Sequence, residues 1–295
     1  MTLLVAPHTS SERRLPVTEE PEKRGRIFNI QRFSLNDGQG IRTLVFFKGC
    51  PHRCPWCANP ESISPRIQVI KRQAKCLNCR TCLQDPAECP SGAMEYVGED
   101  VTLPQLMTQL LKDEVFFRSS GGGVTLSGGE VLMQHAFAGE LLKALRALGI
   151  STAIETAGDA PLSHLLALAE NCDQVLYDFK IMDPQQARSL LNMNQPRVLE
   201  NFRALAERGV NLLPRLPLIP GFTLTEENMQ QVLDFLRLFN LAEIHLLPFH
   251  KYGEAKYPLL DKTYSMHKTK VPDAATIAPF YAMAEKYGYK VTLGG

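Results

Sequence analysis

The sequence predicts an α/β fold built on a largely parallel sheet, and three observations point there. Short apolar runs recur along the chain, and amphipathic stretches of helical period lie between most of them. Polar residues gather at the carboxyl ends of the runs. The runs are TLVFF (43–47), GVTLSGG (123–129), STAIET (151–156), QVLYDFK (174–180), VNLLPRLPLI (210–219) and EIHLLPFH (243–250). Strands separated by helices form βαβ units, because a parallel neighbour is reached only through a crossover. Such units suit a partial or full barrel or an open doubly wound sheet, and pattern alone does not choose.

The elements follow in order. Residues 1–25 are rich in Pro, Glu, Ser and Arg without periodicity and read as a mobile tail. Order begins at Arg26, and the main domain is expected to span 26–295. The first run passes directly into Gly49 and Cys50. Residues 66–97 break the rhythm and read as an insert with its own cofactor, and a helix follows near 103–113. Gly121 to Gly123 read as a flexible entry to the second run. The helical stretches 137–149 and 196–209 end on Gly149 and Gly209, as left-handed helix ends favour. Thr223 with Glu226 reads as a capping box for the helix over 225–240. A last helix (273–288) precedes YKVTL (289–293).

Composition narrows the function. The chain has 295 residues, 44% hydrophobic and 21% charged, with a net charge of +1. No basic run exceeds two or three residues, so nucleic-acid binding has no electrostatic support. No apolar stretch approaches a membrane span, and the apolar start of MTLLVAPHTSSERR is too short for a signal peptide. A cytoplasmic protein is expected. Seven of the eight cysteines fall between Cys50 and Cys89. In such a chain clustered thiols mean metal or redox chemistry, whereas Cys172 reads as an ordinary packed thiol.

The thiols form two groups. Cys76, Cys79 and Cys82, followed by Cys89-Pro90, resemble the bacterial ferredoxin run that holds a [4Fe–4S] cubane, with a longer last gap. A zinc knuckle with four cysteine ligands is the alternative. Cys50, Cys54 and Cys57 stand at spacing C-x3-C-x2-C with no fourth partner nearby. Three thiolates hold three irons of a cubane and leave one iron open, and an open metal position is where chemistry happens. Zinc with a distant fourth ligand is the alternative here.

Further phrases accompany the triad: Asp37-Gly38-Gln39-Gly40-Ile41-Arg42, Ser127-Gly128-Gly129-Glu130, Asp178-Phe179-Lys180, and Leu246 to His250. Together they resemble the glycyl radical enzyme activating enzymes of the radical S-adenosylmethionine (SAM) superfamily, over essentially residues 26–295. That resemblance implies a partial parallel (β/α)6-type barrel with a ferredoxin-like insert. It implies two [4Fe–4S] clusters, one on Cys50, Cys54 and Cys57 and one on Cys76, Cys79, Cys82 and Cys89. The open iron would bind SAM, and an electron would break a sulfonium carbon–sulfur bond. The resulting 5′-deoxyadenosyl radical would take a hydrogen atom from a glycine Cα of a partner protein. Flavodoxin or a similar carrier would supply the electron.

The resemblance also implies roles. Trp56 offers a flat face for adenine, beside Cys57, Ala58 and Asn59. Gly128 and Gly129 let the backbone approach the methionine moiety, next to Glu130. Asp178 and Lys180, two apart on one strand, share a face, with Phe179 between them. Lys180 would meet the SAM carboxylate or ribose, and His250 the ribose or adenine. Arg215, in an apolar strand, needs a ligand carboxylate or an acidic partner such as Glu155. Some relatives bind a cation where Glu155-Thr156 stand. Asp37 would help hold the partner's glycine loop, in a turn where Gln39 replaces the family's proline. The competing readings are a radical SAM enzyme acting on a small molecule and a non-enzymatic iron–sulfur electron carrier.

Overall fold

The computed structural model describes residues 23–83 and 85–294. The expected tail falls almost wholly outside them, and its end moves back: strand β1 (Arg24–Ser34) already begins at Arg24. The parallel strands are β2 (Arg42–Phe47), β6 (Gly123–Gly128), β7 (Ser151–Thr156), β8 (Gln174–Asp178), β9 (Leu212–Leu218), β10 (Glu243–Pro248) and β11 (Lys290–Leu293). With β1 and β5 (Glu99–Thr102) they form one sheet of order β11-β10-β9-β8-β7-β6-β2-β1-β5. β1 runs antiparallel to both its neighbours, and the edge strands β11 and β5 do not meet, so the barrel stays open. The insert carries a small separate hairpin, β3 (Gln68–Lys71) with β4 (Met94–Val97).

The apolar runs of β2 and β6 to β9 are continuous because these strands are covered on both faces. Val45, Phe47, Val124, Leu126, Ile154, Val175, Tyr177 and Leu216 face the helical layer and join the main core. Their alternate neighbours face inward. The helices that cover the outer face are α1 (Leu103–Leu110), α2 (Glu114–Ser120), α3 (His135–Ala147), α4 (Leu162–Ala169), α5 (Pro184–Leu191), α6 (Gln195–Ala206), α7 (Glu226–Leu236) and α8 (Ala274–Lys286). Gly149 and Gly209 do adopt left-handed backbone past α3 and α6, at φ +69° and +70°.

Two local expectations are corrected. Thr225 caps α7 by accepting from the Asn228 amide, whereas Thr223 is buried and accepts from the Ile219 amide at 2.9 Å. The glycines before β6 are no flexible entry. A Cβ on Gly122 would meet Ile41 O at 2.0 Å and one on Gly123 would meet Ser151 O at 1.9 Å, so close backbone contact demands glycine at both.

Candidate active site

A cavity of about 420 Å³ lies on the inner face of the sheet. Alternate residues of successive strands reach it: Gln31 and Phe46 from the antiparallel side, then Ser127, Glu155, Asp178, Arg215 and Leu247. The wall beyond β2 is the cysteine loop. Its backbone is tied down at Cys50 N–Ile63 O (3.2 Å), Arg53 N–Leu191 O (2.9 Å) and Cys57 N–Cys54 O (3.1 Å). Asn192 Nδ2 adds a bond to Pro51 O at 2.9 Å. All three triad thiols line the cavity, and no other cysteine does among the described residues. Burial pushes each of them up, Cys54 to about 11, so thiolates here need positive charge beside them. Iron supplies that charge, and the donor set fits an iron–sulfur cluster.

Opposite the loop lies the turn Ser127 to Glu130. Gly129 donates to Phe47 O at 2.9 Å, and a Cβ there would meet Gly49 O at 2.3 Å and Cys50 Cβ at 3.2 Å. The glycine therefore sets how closely the turn packs on the cysteine loop. Glu130 is buried and its carboxylate accepts from Thr156 Oγ1 (2.6 Å), Ala157 N (3.0 Å) and Leu132 N (3.2 Å), which leaves one acceptor position on Oε2. It lines the cavity and also braces the turn.

The floor is a row of charges. Arg215 donates from Nη1 to Glu155 Oε1 (2.6 Å) and from Nε to Asp178 Oδ1 (2.8 Å), and stands 3.9 Å from Asp37 Oδ1. Its partner is thus the protein's own acids. Lys180 lies just beyond β8 and donates to Asp178 Oδ2 at 3.0 Å. Burial raises the Asp178 carboxyl, but Arg215 and Lys180 outweigh it and hold the group below its usual range. For Lys180 burial pulls down, yet Asp178 and Cys54 push it up to about 12. Glu155 goes the other way: burial lifts it to about 7 against the pull of Arg215, and Asp37 adds to the rise.

The sign for Glu155 is that of a raised carboxyl. Its stabilising contribution is complete below its ordinary 4.5 and is lost as pH rises through about 7. The chain is therefore expected to lose stability between pH 5 and 8 in denaturant titrations, and Glu155→Gln is expected to flatten that loss. An unchanged slope in the variant assigns the pH dependence elsewhere.

Other expected residues divide. Trp56, Ala58, Asn59 and His250 line the cavity. Trp56 also packs on Phe222, with centroids 5.2 Å apart. His250 is exposed at the rim and stacked on Tyr252. Asp37 lines the floor and accepts from Ser34 Oγ. Phe179 is corrected: strand alternation turns it to the outer face, where it is buried against Tyr177, Phe202 and Phe235. It does not line the cavity. Cys172 donates to Gln174 O at 2.7 Å and is an ordinary packed thiol.

Sequence reasoning passed over several residues. Arg42 is fully buried and holds the Asp37 turn: Nε donates to Thr125 Oγ1 (2.6 Å), and Thr125 Oγ1 donates to Asp37 O (2.8 Å). His52, between two triad cysteines, lines the cavity, and burial pulls it down to about 4. Its ring nitrogens make no hydrogen bond among the described residues, and Nδ1 stands 4.0 Å from Asp159 Oδ2. The segment after β10 clasps the cysteine loop, through Tyr257 Oη to Cys57 O (3.0 Å) and Lys256 Nζ to Asn59 Oδ1 (2.9 Å). The cluster of Lys, Tyr and Gly after His250 was the available signal.

In the insert, Asn78 and Arg80 adopt left-handed backbone, and the Asn78 amide donates to Cys76 Sγ at 3.4 Å. Hydrogen bonds from the Met94 amide and Ser91 draw the Cys89 thiol down to about 7, and bonds at Thr81 lower Cys79. Turns that aim amides at sulfur favour thiolates, as a cluster requires. Among the described residues no three His, Cys, Asp or Glu side chains are gathered tightly enough to hold a single metal ion.

The Radical SAM superfamily profile matches residues 44–236, and the chain belongs to that superfamily. It is 64% identical over 270 residues, 92% of each chain, to the pyruvate formate-lyase 2-activating enzyme of Escherichia coli K12. The choline trimethylamine-lyase activating enzyme of Oleidesulfovibrio alaskensis is 35% identical, over 92% of this chain and 98% of that one. A crystallised domain of a pyruvate-formate lyase-activating enzyme from Bacteroides vulgatus is 28% identical, with TM-score 0.50, covering 59% of this chain and 99% of that domain.

Proposed function

We propose that this protein activates a glycyl radical enzyme of the pyruvate formate-lyase type, by reductive cleavage of SAM and abstraction of a hydrogen atom from a partner glycine Cα. The observation that carries the reading is the cavity wall: three half-buried thiols at C-x3-C-x2-C spacing and no fourth among the described residues, facing a glycine turn and a charged floor. The 64% identity to an activating enzyme supports it.

Cys50, Cys54 and Cys57 would hold a cluster that, once reduced, supplies the electron for breaking the sulfonium bond. The chain's own residues do the placing. The Ser127–Glu130 turn offers backbone polar groups to an amino acid moiety, held in register by the braced Glu130. Trp56, Asn59 and His250 surround the place left for a nucleoside. Asp37 lies at the other end of the floor, where a glycine loop would enter. Cys76, Cys79, Cys82 and Cys89 would hold a second, closed [4Fe–4S] cluster in the insert over 66–97, within the barrel domain. What favours iron there is the thiol number and spacing, and a closed cubane suits electron relay from a flavodoxin-like donor. No helix among the described residues is long and apolar enough to cross a membrane, and this reading places the chain in the cytoplasm.

Lys180 faces the triad, where its charge acts on the Cys54 and Cys57 thiols. Lys180→Ala is expected to weaken SAM binding by about 1.5–3 kcal/mol, the worth of a charge-assisted contact, with iron content unchanged. Calorimetry on the reconstituted protein checks it, and unchanged affinity would leave Lys180 as a brace for Asp178. The reading as a whole is tested by anaerobic mixing of reduced protein, SAM and candidate partners. A glycyl radical doublet in the electron paramagnetic resonance spectrum is expected with the right partner.

A further inference from the structure

Between Glu61 and Asp85 the chain has no acidic residue and five basic ones: Arg66, Lys71, Arg72, Lys75 and Arg80. The whole chain is nearly balanced, 32 basic against 31 acidic residues, so this stretch is a local excess. Arg72 spends its charge on Glu95, with Nε to Oε1 at 2.9 Å. The other four are exposed and make no ion pair among the described residues. Of the insert's three acids, Glu95 takes Arg72, Asp85 caps a turn and accepts from Tyr96 Oη at 3.2 Å, and Glu88 is exposed beside Cys89.

Apolar groups share this surface. On the hairpin's outer face Val69 pairs with Tyr96, and they are 42% and 50% exposed. Leu77, next to Cys76 and two residues before the exposed Cys79, is 68% exposed. Lys71 stands two residues from Val69 on the same face of β3. Exposed apolar groups on a segment with a net basic excess, beside thiols proposed to hold a relay cluster, have the make-up of a transient protein interface. Charges of one sign steer an oppositely charged partner and speed its encounter.

We infer that this basic, partly apolar face of the insert is the docking surface for a small acidic electron-carrier protein. The inference rests on the reading of the insert as a cluster-bearing relay. The donor gives up one electron and is oxidised by one equivalent, the insert's cluster is reduced by one, and no atom or proton changes hands.

The test uses the reconstituted full chain and the charge-reversed variant Arg66→Glu/Lys71→Glu/Lys75→Glu, none of which is a thiol ligand. Circular dichroism and an iron count establish that the variant folds and loads. Two reductants are compared by stopped-flow bleaching of the iron–sulfur absorbance: reduced flavodoxin, an acidic protein, and reduced methyl viologen, a small cation. Binding of oxidised flavodoxin is measured separately by calorimetry, without turnover. The flavodoxin rate is expected to fall by about tenfold or more at low salt, and its ionic-strength dependence to flatten. Affinity should fall in parallel, and the viologen rate should not slow. The variant Lys71→Arg/Lys75→Arg should behave as wild type. Equal losses with both reductants would overturn the inference and assign the cations to the cluster. An unchanged flavodoxin rate would overturn it too. A wild-type iron count equal to one cluster would remove the relay reading itself, a result the variants cannot mimic.

Discussion

Replacing Cys50, Cys54 and Cys57 together by alanine is expected to abolish SAM cleavage and to remove about half of the iron after anaerobic reconstitution, by arithmetic from two cubanes. The effect is all or none because these thiols are the only ones among the described residues that reach the cavity. The insert's thiols lie in a separate segment with its own hairpin, so their share of iron should stay. Three alanines remove three thiols whose charged form burial disfavours, so the barrel should fold without them. Iron and sulfide assays with far-ultraviolet circular dichroism check both halves of the statement. A triple variant that keeps all its iron would refute the assignment of the triad.

Arg215→Met is expected to cost the largest stability of any single change at the floor, about 3–5 kcal/mol. Arg215 is buried in β9 and bridges Glu155 and Asp178, with Asp37 close by. Methionine fills much of the volume, but three acids would then share the floor without the cation that bridges them. Loss of the guanidinium removes the charge that holds Asp178 below its usual range and that opposes the rise at Glu155. The variant's deficit should therefore be small near pH 5 and grow toward pH 8, as the acids are forced to ionise. Adding Glu155→Gln should recover part of it, because one buried charge is removed. A deficit that does not vary with pH would mean that packing, not charge, is what Arg215 contributes.

Much of the parallel core was legible in sequence. β2 and β6 to β9 are buried on both faces, so their apolar runs are unbroken, and α3, α6, α7 and α8 carry clear helical period. β1 was not recognised because it is mostly exposed and pairs antiparallel at the rim, without a covering helix to enforce an apolar pattern. The eight-residue helices α4 and α5 were short enough to pass as connections.

At the site, residue types were legible and their partners only in part. The triad stands within one loop, so spacing alone disclosed it. Arg215 was seen as a buried charge in need of a partner, and Glu155, named as one, does accept from it, whereas Asp178 was not foreseen. Which partner depends on the register that sets Asp178 beside Arg215 across β8 and β9. Phe179 was misplaced for a similar reason: a phrase read as a unit straddles the sheet, and alternation sends its middle residue to the opposite side. Glu130 was read as a ligand contact and does line the cavity, but the bonds it also takes from Thr156 and the Ala157 amide, 26 and 27 residues away, could not be read from sequence.

The central claim is transfer of a hydrogen atom from a partner's glycine to a fragment of SAM inside this cavity. The most direct test is anaerobic reaction of the reduced protein and SAM with a glycyl radical enzyme whose glycines carry deuterium at Cα. 5′-Deoxyadenosine is then recovered for mass spectrometry. The expected product is one mass unit heavier than with unlabelled partner, formed in step with the glycyl radical signal. Unlabelled 5′-deoxyadenosine, appearing at the same rate with or without the partner, would contradict the account.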